Sequence, residues 1–120
     1  MIEIDGEYGS GGGQILRTAI GLAALTTTPC RIFNIRSKRR NPGLQEQHLQ
    51  ALRAVAQLAR ASLTGAEKGS REISFHPKPI RDTDLNVTIS TAGSIGLVLQ
   101  ALLIATLRSS LSYREVRQEA

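Results

Sequence analysis

The sequence predicts a mixed α/β (α+β) fold, a β-α-β-α-β-β unit with its helices on one face of the sheet. A third apolar helix then begins a second unit. Two observations support this prediction: short alternating apolar segments flank two longer segments of helical spacing, and the last two strand patterns follow one another without a helix between them. We expect the first unit at residues 1–91 and a truncated start of the second at 92–120.

The first half of the chain predicts strand, helix, strand. Residues 2–5 alternate as a strand with Ile2 and Ile4 inward. Residues 13–25 have the apolar spacing of an amphipathic helix, which a Thr-Thr-Thr-Pro segment ends. Residues 31–36 are predicted to form the second strand. Cys30, just before it, is the only cysteine, which excludes an internal disulfide and favours a buried structural thiol.

A second helix is predicted over residues 44–63. Asn41 is a suitable cap and Pro42 a suitable first helical residue. Apolar residues recur at steps of three and four along one face of this segment. They are Leu52, Val55, Ala56 and Ala59.

The remaining chain predicts a hairpin, a helix and a further strand. Residues 72–75 and 85–89 alternate as strands, and residues 112–117 begin another strand pattern. The apolar helix 95–107 is interrupted by Gln100 and Thr106 and is too short to cross a bilayer, so no membrane association is expected. The single cysteine and the strand pattern directly after Met1 favour a cytoplasmic protein without a signal peptide.

A glycine-rich loop, Gly9-Ser10-Gly11-Gly12-Gly13-Gln14, joins the first strand to the first helix. Glycines allow a ligand close to backbone N–H groups, and the following helix directs its N-terminal N–H groups at the loop. This arrangement predicts an anion site, usually for phosphate. The loop lacks the Gly-Lys-Ser/Thr of a P-loop, and Gln14 occupies the last glycine position of a dinucleotide fingerprint. The alternative is a flexible connection without a ligand.

Basic residues are concentrated near this loop. The formal net charge is +5, and no acid occurs between Glu7 and Glu46. This interval contains Arg17, Arg31, Arg36, Lys38, Arg39 and Arg40. A basic cluster beside an anion site predicts a polyphosphate or nucleic-acid ligand. The alternative is a solvated basic loop.

Several motifs in register resemble one known family. The segment 5–19, with its glycine loop followed by Gln-Ile-Leu-Arg-Thr-Ala, resembles the N-terminal signature of RNA 3′-terminal phosphate cyclases. Segments 35–49, 65–70 and 92–103 agree with the family in order and spacing, so the resemblance extends from Ile2 to Val116.

The resemblance implies an ATP-dependent RNA-processing enzyme of the ligase class that uses Mg²⁺ or Mn²⁺. Family members convert an RNA 3′-phosphate to a 2′,3′-cyclic phosphate. A histidine is first adenylylated, and AMP then passes to the RNA 3′-phosphate. The neighbouring 2′-hydroxyl attacks this activated phosphate and expels AMP. Adenylylation makes sense because a phosphate monoester dianion is a poor electrophile without a leaving group. ATP and RNA 3′ ends are therefore the implied partners.

The resemblance also assigns residues. The phosphate- or RNA-binding positions are Arg17, Arg36, Arg39 and Gln47. Gln100 matches an ATP-contacting position; without the resemblance, it would be read as a helix residue that caps a backbone group. The glycine-loop positions are Gly11, Gly12, Gly13 and Gln14. Lys38 and Arg40 have no clear match and are assigned to general electrostatic attraction of RNA.

Two positions depart from the family pattern. Ser10 stands where the family carries a metal-binding glutamate, and a hydroxyl is a weaker ligand for a hard cation than a carboxylate. The family's nucleophilic histidine lies beyond the matched region, so the catalytic residue is expected to be absent from this chain. His48 is expected to pack or hydrogen-bond, and His76 to be exposed.

Three hypotheses follow. The chain is an N-terminal part of a cyclase; or it is a non-catalytic RNA-binding module of the same family that acts in RNA processing or ribosome assembly; or it is a truncated product that dimerises to bury helix 95–107. ATP dependence separates the first two, because binding by a module that recognises only RNA is indifferent to ATP. A monodisperse monomer would count against the third.

Overall fold

The computed structural model describes residues 1–7, 13–80, 86–89, 92–107 and 115–118. Nine helices and strands lie within these ranges. They are β1 (Ile2–Asp5), α1 (Gly13–Thr26), β2 (Cys30–Phe33), α2 (Glu46–Leu58), β3 (Ser62–Thr64), β4 (Ile73–His76), β5 (Asn86–Ile89), α3 (Ala92–Ala105) and β6 (Glu115–Gln118). This element content confirms the predicted α+β class.

The main sheet has four strands in the order β1-β2-β4-β3. β1 and β2 are parallel, with Ile4 opposite Ile32, and α1 connects them. β4 is antiparallel to both β2 and β3. The elements β1 to β4, with α1 and α2, run in the order β-α-β-α-β-β, but the last two strands are β3 and β4 rather than the predicted segments 72–75 and 85–89.

The helices cover one face of this sheet. Buried side chains alternate with more exposed ones along β2 and β4, as expected when one face is packed and the other faces solvent. Cys30, Ile32, Ile73 and Phe75 belong to the same buried cluster as the apolar residues of α1 and α2. The helices therefore lie on one face of the sheet, as predicted.

Arg31 lies on the opposite face of the sheet. Its guanidinium is 2.7 Å from Glu72 and 3.3 Å from Glu3, and it lies 5.0 Å from the centre of the Phe33 ring. The hydrogen bond between Arg31 and Glu72 raises the pKa of Arg31 and lowers that of Glu72. The structure therefore separates Arg31 from the other basic residues of the interval between Glu7 and Glu46.

The second strand and second helix are shorter than predicted. β2 ends at Phe33 because Asn34 and Arg36 adopt positive φ values of 54° and 49°, which turn the chain. α2 begins at Glu46 with Gln45 as its N-cap, so the prediction that Asn41 caps the helix was wrong. It ends at Leu58, and Arg60 follows with a φ of 48°.

The late start of α2 has a backbone cause. The Leu44 N–H donates to Ser70 O at 2.8 Å, and the Gly69 N–H donates to Leu44 O at 2.7 Å. Gly43, with a φ of 81°, donates to Ile35 O at 3.1 Å. These long-range bonds occupy the backbone groups that an earlier helical turn would need.

The predicted hairpin of residues 72–75 with 85–89 was wrong. β4 pairs with β2 and β3, whereas β5 pairs in parallel with β6, placing Val87 opposite Val116. The three-residue strand β3 is too short to show an alternating pattern, and it occupies the partner position expected for β5. The boundary at residue 91 stays a prediction; β5 and β6 pair across it.

The apolar helix α3 packs against α1 and α2. Val98, Ala101, Leu102 and Ala105 are buried there. Gly21 of α1 permits a close approach, because a Cβ at that position would lie 2.8 Å from Cγ2 of Ile104. One face of α3 thus has a partner within the chain, and dimerisation through helix 95–107 stays a prediction. Among the described residues, no helix is both long and apolar enough to cross a membrane.

Cys30 is expected to resist thiol reagents in the folded chain. It is buried, 1% exposed, and burial raises the pKa of its thiol, so little thiolate is available for reaction. We expect labelling to be at least about 100-fold slower in native buffer than in denaturing urea, because labelling requires opening of the core. Equal rates in the two conditions would contradict the observed burial of β2.

Candidate functional site

The beginning of α1 meets the first turn of α2 at Gly13 and His48. A Cβ atom at Gly13 would lie 2.5 Å from Cδ2 of His48 and 3.0 Å from Nη1 of Arg17, and it would also collide with Nε2 of His48. Only a residue without a side chain leaves room for the imidazole here. The last glycine of the predicted loop therefore seats His48 against the N-terminus of α1.

His48 is a neutral imidazole with its proton on Nε2. Its Nδ1 accepts a 3.0 Å hydrogen bond from the Gln45 N–H, which leaves the ring proton to Nε2. The side chain is buried, 3% exposed. Burial lowers the pKa of His48 to about 4, and the charges of Arg36 and Arg17 act in the same direction. At neutral pH, Nε2 is thus a hydrogen-bond donor without a positive charge.

Arg17 joins α1 to α3 at the same place. It lies one turn after Gly13 on α1, and its Nε donates to Oε1 of Gln100 at 3.2 Å. Partial burial lowers the pKa of Arg17 from its usual value, yet arginine remains charged at neutral pH. Two of the predicted ligand-binding residues, 83 positions apart in the chain, are therefore in direct contact.

Arg36 holds the basic loop that follows β2. Its Nη1 donates to Asn41 O at 2.6 Å and to Gly43 O at 2.9 Å. The loop from residue 37 to residue 43 is thereby closed on the guanidinium. The positive charge of Arg36, like that of Arg17, lowers the pKa of His48, so both guanidinium groups act on the same imidazole.

The other basic-loop residues lie at the surface. Lys38, Arg39 and Arg40 are exposed, and the Arg39 N–H donates to Arg36 O in a turn. The carboxylate of Glu7 accepts a hydrogen bond from the Ser37 hydroxyl and lies 3.9 Å from Nζ of Lys38. The base of this loop therefore has one acidic neighbour among the described residues.

The remaining predicted positions are distributed as follows. Gln47 is exposed in the first turn of α2, and Gln14 is exposed in the first turn of α1. The predictions for Ser10, Gly11 and Gly12 fall outside the described residues. His76 is exposed at the end of β4, as expected.

His48 is the residue of this site that sequence reasoning assigned only to packing or hydrogen bonding. That role is confirmed, since His48 accepts the Gln45 N–H at the start of α2. Its proximity to Gly13 and Arg17 depends on tertiary packing. The available signal was its position next to Gln47 in a segment that resembles the family motif.

The described part of this site fits an anion. It combines the N-terminus of a 14-residue helix, the guanidinium of Arg17 and a neutral N–H donor from His48. Among the described residues, no group of three His, Cys, Asp or Glu side chains is placed to share a metal ion.

Comparison with known proteins gives a consistent result. Residues 8–115 match the family described as RNA 3′-terminal phosphate cyclase. A protein named RNA 3′-terminal phosphate cyclase from Pyrococcus furiosus is 58% identical over 105 residues, which cover 88% of this chain and 31% of the relative. Proteins of the same name from Ignicoccus hospitalis and Nitrosospira multiformis are 54% and 56% identical, and the aligned residues cover 89% and 86% of this chain.

The chain spans about 30% of the length of these relatives: 31%, 30% and 29% in the three comparisons. The family match includes the predicted glycine loop, the basic loop and α3. By the extent of this match and the identity to its relatives, the chain belongs to the RNA 3′-terminal phosphate cyclase family.

Proposed function

We propose that this chain supplies the part of an RNA 3′-phosphate cyclase that binds the phosphates of ATP and of the RNA 3′ end. The reaction is the ATP-dependent conversion of an RNA 3′-phosphate to a 2′,3′-cyclic phosphate, with ATP providing the adenylyl group. The observation that carries the proposal is the contact of Arg17 with Gln100 beside Gly13 and His48. Residues from three helices thereby converge at the end of the predicted phosphate loop.

Each described residue has a distinct task in this proposal. Arg17, oriented through its Nε by Gln100, directs its terminal nitrogens to phosphate oxygens. Arg36 holds the loop of residues 37–43 and adds positive charge. Arg39 and Gln47, both exposed, are proposed to contact the RNA end or the phosphates.

The remaining parts of the proposal come from the family. ATP, RNA 3′ ends and Mg²⁺ or Mn²⁺ are the proposed ligands, and the cytoplasm is the proposed location. Neither His48 nor His76 is assigned as the nucleophile that carries AMP. His48 is buried and its Nδ1 accepts a backbone hydrogen bond. His76 lies on β4 of the sheet, an element that supplies none of the residues assigned above.

Replacing Arg17 with alanine is expected to weaken ATP binding by about 10- to 100-fold. Hydrogen bonds to charged groups contribute about 1.5–3 kcal/mol each, and tenfold in affinity corresponds to about 1.4 kcal/mol. Isothermal titration calorimetry of ATP with the 120-residue chain measures the effect. Arg53→Ala is the matched control, because Arg53 is an exposed residue of α2 and its removal changes the net charge equally.

Equal losses of ATP affinity in both variants would mean that ATP binding depends only on net charge, which contradicts a built site at Arg17.

The second candidate function, an RNA-binding module, is favoured by the exposed basic residues of the loop. It predicts affinity for RNA that falls steeply with salt and does not change when ATP is added. Binding of RNA without any binding of ATP would favour this candidate over the cyclase.

A further inference from the structure

Three kinds of hydrogen-bond donor face the first turn of α1. The helix contributes its N-terminal N–H groups, which have no acceptor within the helix. Arg17 contributes a guanidinium whose Nη1 lies near the Gly13 backbone, and His48 contributes its Nε2 proton. Helix α1 is 14 residues long, so it has a fully developed N-terminal dipole.

The imidazole of His48 meets the beginning of α1 through its Nε2 edge. The side chain is 3% exposed, and Nε2 lies where a Cβ of Gly13 would be. In the part of the chain that the structure describes, its hydrogen bonding runs through Nδ1 to the Gln45 N–H. Nε2 donates no hydrogen bond within the described residues, so its N–H is available to an acceptor that approaches the beginning of α1.

We propose that Nε2–H of His48 donates a hydrogen bond to a phosphate oxygen bound at the first turn of α1. The ligand class is a polyphosphate, such as the phosphate chain of a nucleotide. This inference rests on the proposed function, because it adds a ligand-binding residue to the same site. It goes beyond that function by giving a role to a residue that the sequence motifs assign only to packing or hydrogen bonding.

The physical reason for a neutral donor lies in its neighbours. Arg17 and Arg36 already bring two positive charges to this side of the fold, and a third charge on a buried imidazole would be repelled by both. A neutral imidazole instead donates a directed hydrogen bond and is not repelled by the two arginine charges. The hydrogen bond from the Gln45 N–H to Nδ1 orients the ring and leaves the proton on Nε2, beside Gly13.

Two substitutions of His48 separate this role from a structural one. Asparagine places Oδ1 near the position of Nδ1, so His48→Asn keeps the acceptor for the Gln45 N–H and loses the Nε2 donor. Glutamine places its NH₂ near the position of Nε2, so His48→Gln keeps the donor and loses the acceptor. His76→Asn is the control, because it changes the other, exposed histidine.

Binding of inorganic tripolyphosphate is measured by isothermal titration calorimetry for the 120-residue chain and each variant. We expect His48→Asn to weaken binding about tenfold, which corresponds to about 1.4 kcal/mol. His48→Gln should retain most of the affinity, and His76→Asn all of it. A purely structural role for His48 predicts the opposite order, with Gln the more damaging substitution.

A measurement on the unsubstituted chain removes any dependence on the folding of the variants. The chain has two histidines, so the ring ¹⁵N signals of His48 are readily assigned with the help of His76→Asn. We expect Nε2 to be protonated and its resonance to shift on addition of tripolyphosphate, while Nδ1 stays unprotonated. A protonated Nδ1, an unmoved Nε2 or an absence of tripolyphosphate binding would each overturn the inference.

The failures of the two proposals can be distinguished. If ATP binds, Arg17→Ala weakens that binding and His48→Asn does not affect tripolyphosphate, only the role of His48 is refuted. If the chain binds neither ATP nor tripolyphosphate, the proposed function fails together with the inference.

Discussion

Gly43→Ala is expected to destabilise the chain by about 2–5 kcal/mol. Gly43 has a φ of 81°, in the left-handed region, where a residue with a Cβ is strained by about 1–2 kcal/mol. The new Cβ would also lie 2.5 Å from the carbonyl carbon of Gly69 and 2.8 Å from Ser70 O. Backbone atoms cannot rotate away as a side chain can, so the overlap adds about 1–3 kcal/mol.

Gly69→Ala is the matched control for this substitution. Gly69 has nearly the same φ, 83°, but a Cβ there would meet nothing within 4 Å. This variant therefore carries the conformational strain alone, about 1–2 kcal/mol. Urea unfolding followed by circular dichroism gives both free energies of unfolding. Equal losses in the two variants would show that the contact between residues 43 and 69 does not constrain the fold.

The position of Gly43 also matters for ligand binding. Gly43 O accepts a hydrogen bond from Arg36 Nη1, and the Gly43 N–H donates to Ile35 O. Displacement of Gly43 would therefore release the loop that carries Lys38, Arg39 and Arg40. We expect the Gly43→Ala chain to bind RNA more weakly than the Gly69→Ala chain under conditions in which both remain folded.

The stability of the chain is expected to fall by about 3 kcal/mol as the pH is lowered from 6.5 to 4. The ordinary pKa of histidine is 6.5, and that of His48 in the fold is about 4. Between these values the unfolded chain binds a proton at His48 that the folded chain does not, so acid favours unfolding. Each unit of difference corresponds to 1.36 kcal/mol, and above pH 6.5 this contribution is fully present.

Urea unfolding at a series of pH values measures the slope of the unfolding free energy against pH. His48→Asn should remove it, and His76→Asn should retain it. The hydrogen bond with Arg31 lowers the pKa of Glu72, so the Arg31–Glu72 pair also contributes less stability in acid. That loss begins only below pH 4.5, the ordinary pKa of glutamate, and it is the same in both variants. A slope between pH 6.5 and 4 that is unchanged by His48→Asn would contradict the burial of a neutral imidazole.

Periodicity was sufficient for the long elements but not for pairing or precise ends. α1 was predicted at 13–25 and extends over Gly13–Thr26, because its apolar spacing continues to the Thr-Thr-Thr-Pro segment. The start of α2 was missed by two residues, since Leu44 donates a backbone hydrogen bond to Ser70 and accepts one from Gly69 in a distant loop. The three residues of β3 are too few to show a pattern, so the pairing of β4 was assigned incorrectly.

In the candidate site, too, the sequence indicated the residues but not their contacts. Glycine spacing and family resemblance indicated Gly13, Arg17, Arg36 and Gln100 as residues of one ligand-binding region. The contact of Arg17 with Gln100 shows that two of them meet, while the ligands themselves stay proposals. The proximity of His48 to Gly13 arises from the packing of α1 against α2, which no local pattern records.

The sequence by itself determined the fold class, the main helices and the family, because these depend on local periodicity and on motifs in register. Only the tertiary structure decided which strands pair, that Arg31 belongs to the outer face of the sheet, and that burial beside Arg17 lowers the pKa of His48. These properties depend on burial and on charges brought together from distant positions, and both arise only when the helices pack on the sheet.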